Sequence, residues 1–206
     1  VHHAADAHVA DVASYSDGGV VYYADDENTP RLVAHREQGG RVGFWRDGQL
    51  MLCEGQRESM VLSIFRLTDR VLPAMRAAGW GRILNVASIT VVEPSAALGV
   101  SNTLRASVAA WAKTLAGEVA ANGVTVNTLL PGRIDTPRIE RLDQATAERT
   151  GTTPQEARAE SVKSIPVGRI GTTEEFGATA AFLASPLAAY VTGSLIRLDG
   201  GAIKAI

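Results

Sequence analysis

The sequence of 206 residues holds one cysteine, Cys53. It therefore closes no intrachain disulfide and builds no zinc site from several thiolates; a buried apolar cysteine on a strand is the expectation. It has no excess of either charge. Twenty Lys and Arg stand against 22 Asp and Glu, a net charge of −2, which gives no electrostatic footprint for nucleic acid or an anionic membrane. No apolar run approaches the ~18–20 residues of a membrane-crossing helix. No basic segment followed by an apolar one marks secretion, and a cytoplasmic chain is the expectation. The four histidines, His2, His3, His8 and His35, form no H-x-x-x-H pair, and histidines near a terminus are ordinarily solvated, so no metal site is expected. There is no G-x-x-x-x-G-K-S/T phosphate loop, no repeat and no low-complexity tract.

What is present suits a packed α/β chain. Apolar residues make up 46% of it, enough for one ordinary domain, or a reduced domain with an appendage. Residues 1–58 read as a small α+β fragment. Residues 5–13 suit a short helix, Val20–Ala24 a strand, and Pro30–Gln38 a short helix with Thr29 as its cap and Gly39-Gly40 as its stop. Asp47-Gly48 between Arg41–Trp45 and Gln49–Cys53 predicts a hairpin. Apolar residues at helical spacing then run from Val61 to Ala78, with Pro73 placed to kink or weaken one turn.

The chain is organised around Gly81–Thr136. Ile83–Ala87 is a short apolar run broken only by Asn85, as in a strand covered on both faces. Ser88 follows it. Leu104, Val108, Trp111, Leu115 and Val119 mark a long helix over Ala96–Asn122, and Val124–Leu130 is the next buried strand. Strand, helix and strand with short joints make a right-handed βαβ unit. Beyond Gly132 a helix is expected over Pro137–Glu148. Thr153-Pro154-Gln155-Glu156 and Thr172-Thr173-Glu174-Glu175 are capping boxes that open two more. Ser194–Leu198 reads as a last strand, closed by Gly200-Gly201.

Five segments in this order, RVLPAMRAAGWGRILNVAS, WAKTLAGEVA, VTVNTLLPGRIDT, GRIGTTEEFGATAAFLAS and YVTGSLIRLDGG, make residues 59–202 similar to the short-chain dehydrogenase/reductase family. The nearest flavour is a divergent branch resembling 3-oxoacyl-carrier-protein reductases. The resemblance implies a partial Rossmann-like, doubly wound parallel sheet lacking its first strands, joined to the small N-terminal α+β fragment. It implies hydride transfer between NAD or NADP and the carbonyl or alcohol of a small-molecule substrate. It also implies a homo-oligomer, with the helices at Val61–Ala78 and Ala96–Asn122 as its seam. The family's substrate-orienting Ser falls on Ser88. Its acid/base Tyr falls on Ser101, the Lys that assists it on Arg105, and its relay Asn near Met60. Pro131, Gly132, Ile134 and Thr136 match the loop that holds the nicotinamide end of the cofactor. The glycine-rich segment that cradles the pyrophosphate has no counterpart in the sequence.

Residues 1–58 resemble a piece of the ATP-dependent, Mur-ligase-type domain of cyanophycin synthetases, through VHHAADAHV, VVYYADD, PRLVAHREQGGRV and FWRDGQLMLCEG. In place of that family's adenine-contacting Asn-Ala-Asp-Asp stands His3-Ala4-Ala5-Asp6. Without a phosphate loop these residues do not make a ligase. An aliphatic hydroxyl is a far weaker acid than a phenol, whose pKa is ~10, so Ser101 does not replace a catalytic Tyr. Arg105 stays charged and passes no proton. The expectation is a member of this oxidoreductase class with impaired catalysis. The alternatives are a non-catalytic oligomerising protein and a recombined fragment.

Overall fold

A computed structural model describes residues 57–205 and, before them, the backbone of four strands: β1 (Val20–Tyr23), β2 (His35–Arg36), β3 (Val42–Arg46) and β4 (Gln49–Cys53). The expected helix at residues 5–13 and the three N-terminal histidines lie outside the described residues. The hairpin forms where Asp-Gly places it. β3 and β4 pair antiparallel with Arg46 opposite Gln49, the register expected for a hairpin; Asp47-Gly48 lie outside the described residues. Cys53 ends β4. The helix expected over Pro30–Gln38 is corrected at His35–Arg36, which pair with Gly43 and Val42 as a third strand. There a ladder to β3 outweighs local helix preference.

The main sheet has the order β1-β5-β6-β7. β5 (Gly81–Val86) and β6 (Val124–Pro131) are buried at every position, and they pair in parallel with each other and β6 with β7 (Leu195–Leu198). β1 runs antiparallel along the outer edge of β5, with Val20 opposite Asn85 and Tyr23 opposite Arg82. A strand of the N-terminal block thus covers the edge that an incomplete parallel sheet would leave open.

Helix α1 (Ser63–Ala78) is preceded by a π-helical turn at Glu58–Leu62 and stopped by Gly79 in the left-handed region. The helix runs without a break through Pro73. Pro73 and Asp69, whose carbonyl its missing N–H leaves without a helical partner, are both exposed residues. Helix α2 (Gly99–Val119) is flanked by 3₁₀ turns at Ala96–Leu98 and Ala120–Asn122. Both helices pack on one face of the sheet, where Ile64, Leu67, Met75, Val108, Val119 and Val126 form a core. Trp111 stacks on Phe65 with ring centroids 4.5 Å apart, at the margin of that core. Helices α3 (Pro137–Thr150) and α4 (Pro154–Lys163) form a hairpin beyond β6. Helix α5 (Thr173–Ala184) covers the other face through Phe176, Ala180 and Leu183 against Leu84, Val86 and Leu129. No helix among the described residues is long and apolar enough to cross a membrane.

Both capping boxes form, Thr153 with Glu156 and Thr172 with Glu175. The paired guanidinium of Arg169 and the N–H of Thr172 hold the Glu175 carboxyl at about 2, below its ordinary 4.5. A depressed folded-state pKa adds stability above the ordinary value and loses it as the pH falls through the folded one. Wild type is therefore expected to melt higher than Glu175→Gln at neutral pH, with the gap closing between pH 4.5 and about 2. A gap independent of pH in thermal melts overturns this.

Candidate active site

The carboxyl ends of β5 and β6 present the residues singled out above. An open α/β sheet offers ligands a crevice at this end. Ser88 is extended, two residues beyond β5, and its Oγ accepts the N–H of Thr90 at 3.2 Å, so that it caps the short turn Ile89–Val91. Its hydroxyl proton is a further donor that this bond does not use. Ser101 and Arg105 lie one turn apart on α2 and are brought together: Arg105 Nε donates to Ser101 Oγ at 3.2 Å. Arg105 Nη1 donates to the carbonyl of Ala87 at 2.6 Å, and only 7% of Arg105 is exposed. The guanidinium thus ties the first turns of α2 to the chain immediately before Ser88. The guanidinium therefore acts as an internal clamp in the structure. Met60, at the expected relay position, packs against the apolar core of α1 and α2 and supplies no polar group.

The Pro131–Thr136 loop is held by backbone bonds. Gly132 N–H donates to Leu198 O at 3.0 Å, Asp135 N–H to Gly171 O at 2.8 Å, and Gly171 N–H to Arg133 O at 2.9 Å. A Cβ on Gly132 would lie 2.9 Å from Asp199 Cα, so this position requires glycine for close approach to β7 rather than for its φ. Ile134 is buried in the core beneath α5 and bridges Gly171 in a parallel ladder. Thr136 precedes α3 in an extended conformation and donates its hydroxyl to Ile134 O at 3.2 Å. Two ion pairs clasp the α3–α4 hairpin to this loop: Arg133 with the buried Asp143, and Arg158 Nη2 with Asp135 Oδ1 at 2.5 Å.

Three arginines escaped sequence reading. Arg82, within β5 and 2% exposed, donates to the carbonyls of Gly81, Gly123 and Ser185 and stacks on Trp80. Burial lowers its pKa. Arg133 and Arg169 line a cavity at the ends of β6 and β7. The signal was a tripeptide, Gly-Arg-Ile, which occurs at 81–83, 132–134 and 168–170.

The residues fit one end of a nicotinamide nucleotide and not the other. The loop after β6 is fixed by backbone bonds to Leu198 and Gly171, which sets the main chain that the resemblance assigns to a carboxamide. Among the described residues no glycine-rich turn stands at a β-strand end to receive a pyrophosphate, and the Ser101–Arg105 pair provides no group that exchanges a proton near neutrality.

Residues 57–202 match a family model described as enoyl-(acyl carrier protein) reductase. The chain is 36% identical over 165 residues to a 3-oxoacyl-acyl-carrier-protein reductase of Vibrio cholerae serotype O1, covering 78% of this chain and 63% of that protein. It is 36% identical over 185 residues to a short-chain reductase of Streptomyces niveus, covering 84% and 69%. Among solved structures it resembles YwfH, an NADPH-dependent reductase involved in bacilysin biosynthesis, at a TM-score of 0.69 and 31% identity over 73% of this chain and 57% of that one. L-sorbose reductase from Gluconobacter frateurii, complexed with NADPH and L-sorbose, gives 0.68 and 31% over the same shares. The chain thus spans less than two thirds of the Vibrio reductase and of both solved structures.

Proposed function

This chain belongs to the short-chain dehydrogenase/reductase family, and we infer that it works within NAD(P)-dependent carbonyl/alcohol chemistry as a catalytically impaired member. The carrying observation is the Arg105 clamp: the helix position of the resembled Lys is spent on Ala87 O and Ser101 Oγ. A nicotinamide nucleotide, when bound, supplies or accepts the hydride. The backbone of Gly132–Ile134 and the Thr136 hydroxyl would hold its nicotinamide end, and the Ser88 hydroxyl orients a substrate oxygen. Residues 1–58, with their resemblance to a Mur-ligase-type segment, serve in this reading as a structural appendage that contributes β1.

The test is a titration with NADPH, and separately NADH, read by nicotinamide fluorescence, followed by ketone-dependent oxidation at saturation. Weak binding at millimolar cofactor with turnover at background is expected. No binding at millimolar cofactor overturns the cofactor reading, and turnover at rates usual for enzymes, about 1 s⁻¹ or more, overturns the impairment.

The second reading is a non-catalytic homo-oligomer. It is supported by exposed apolar side chains on α5 and the chain after it: Phe182, Leu187, Tyr190 and Leu195. Trp111, on the expected seam, packs on Phe65. Light scattering is expected to give a multiple of the 21.7 kDa chain mass, shifted toward monomer by Leu187→Lys. A clean monomer at high concentration overturns it.

A further inference from the structure

The cavity at the carboxyl ends of β6 and β7 has a volume of about 500 Å³, within the range of small-molecule sites. None of Ser88, Ser101 and Arg105 lines it. Its walls are set by main-chain bonds. Val167 N–H donates to Gly200 O at 3.2 Å, Gly132 N–H ties β6 to Leu198, and Gly171 is tied to the loop after β6. The apolar lining comes from Ile134, Ile165, Val167, Phe176 and Leu198. Val167 is 58% exposed, an apolar side chain left in water beside an apolar hollow.

The charges are unevenly satisfied. Arg169 forms a two-pronged pair with Glu175, at 2.9 and 2.5 Å. Arg133 is paired with Asp143. Asp199 accepts the N–H groups of Gly201 and Ile203, each at 3.0 Å. Arg197 forms no ion pair among the described residues. Its recorded bond is from Nη1 to Ala205 O at 2.6 Å, which leaves the rest of its planar fork of donors.

The geometry points to a binding site for a small aliphatic monocarboxylate, with its carboxylate on Arg197 and its hydrocarbon body against Ile134, Ile165 and Val167. A guanidinium without a carboxylate partner pairs with a planar carboxylate through two parallel bonds. Apolar walls favour a hydrocarbon body over a bare ion. Glu175 is neutralised by Arg169, and Asp199, which forms no ion pair among the described residues, opposes a dianion, so inorganic phosphate is a poor occupant. The ligand would touch Ile134, on the loop assigned to the nicotinamide end, yet the site does not depend on cofactor binding.

The whole chain, without cofactor, is titrated by calorimetry with hexanoate, 1-hexanol and inorganic phosphate. Hexanoate is expected to bind at least about tenfold more tightly than 1-hexanol, the worth of one charge-assisted contact, and phosphate neither binds nor competes. Arg197→Gln, on an exposed position, brings hexanoate down to the level of 1-hexanol and leaves 1-hexanol unchanged. Val167→Asp, which adds a carboxylate at the mouth, abolishes hexanoate binding and serves if the first variant fails to fold by circular dichroism. Equal binding of hexanoate and 1-hexanol, tighter binding of phosphate, no binding of hexanoate, or hexanoate affinity unchanged in a folded variant each overturns the site.

Discussion

Gly123→Ala is expected to destabilise the chain by more than about 3 kcal/mol, lowering the thermal midpoint by at least 6–12 °C on the scale of a domain of this size. Gly123 ends the turn after α2 at φ +72° and hands the chain to β6. A methyl group there meets two costs. The left-handed conformation strains any residue with a Cβ by roughly 1 kcal/mol or more. The new Cβ would also stand 2.1 Å from the carbonyl oxygen of Gly79 and 2.9 Å from its carbon. Both are backbone atoms at the left-handed stop of α1 and cannot rotate away. Any shift propagates, because Gly123 O accepts a bond from Arg82 Nη1 at 3.2 Å. Gly151→Ala is the control, since that glycine has φ +70° with nothing within 4 Å of an added Cβ. It is expected to cost only the conformational part, about 1 kcal/mol. Equal midpoints for the two variants would show that the Gly79 contact relaxes freely.

That pair of glycines also shows where sequence reading stopped. Asn122-Gly123 and Gly79 were legible as helix stops, because glycine after a helical repeat is a local signal. That the two stops face each other across the ends of α1 and α2 was not legible, because it follows from the crossover that brings β5 beside β6. The same holds for the sheet. The buried runs at Ile83–Ala87 and Val124–Leu130 announce parallel strands by composition alone. The antiparallel placement of Val20–Tyr23 against β5 carries no local mark. His35–Arg36 misled because Pro30 and Gly39-Gly40 frame them as a helix, and the pairing with Val42–Gly43 that decides their state is nonlocal. At the site, family spacing singled out Ser88, Ser101, Arg105 and the Pro131–Thr136 loop, and the structure brings Ser101 and Arg105 together. What Arg105 does with its donors depended on Ala87 lying within reach of α2, a tertiary fact. Arg82 was invisible for the same reason, since its acceptors at Gly123 and Ser185 are distant in sequence.

The double variant Ser101→Tyr/Arg105→Lys restores the acid/base pair of the resembled family, and it is expected to gain no ketone-dependent oxidation of NADPH while losing about 2 kcal/mol of stability. Arg105 at present donates to two acceptors from a buried position. A lysine is a point charge that does not reproduce a fork spanning Ala87 O and Ser101 Oγ, and an unmet buried carbonyl costs about 1–3 kcal/mol. Arg105→Met isolates that cost. It keeps the apolar stem, removes every donor, and is expected to lower the midpoint by about 4–8 °C without moving NADPH affinity, because those donors are engaged on Ala87 O and Ser101 Oγ within the chain. A tyrosine at 101 does regain a phenol, whose pKa of ~10 a nearby ammonium lowers. Proton transfer alone is then repaired, while the pyrophosphate still finds no glycine-rich turn in these 206 residues. The outcome therefore separates the two deficits proposed for the wild-type chain. Turnover in the double variant would mean that the proton donor was the whole of the loss and that cofactor is held without the usual cradle. Absence of turnover, with NADPH fluorescence unchanged from wild type, places the proposed deficit on the cofactor side rather than in the proton donor.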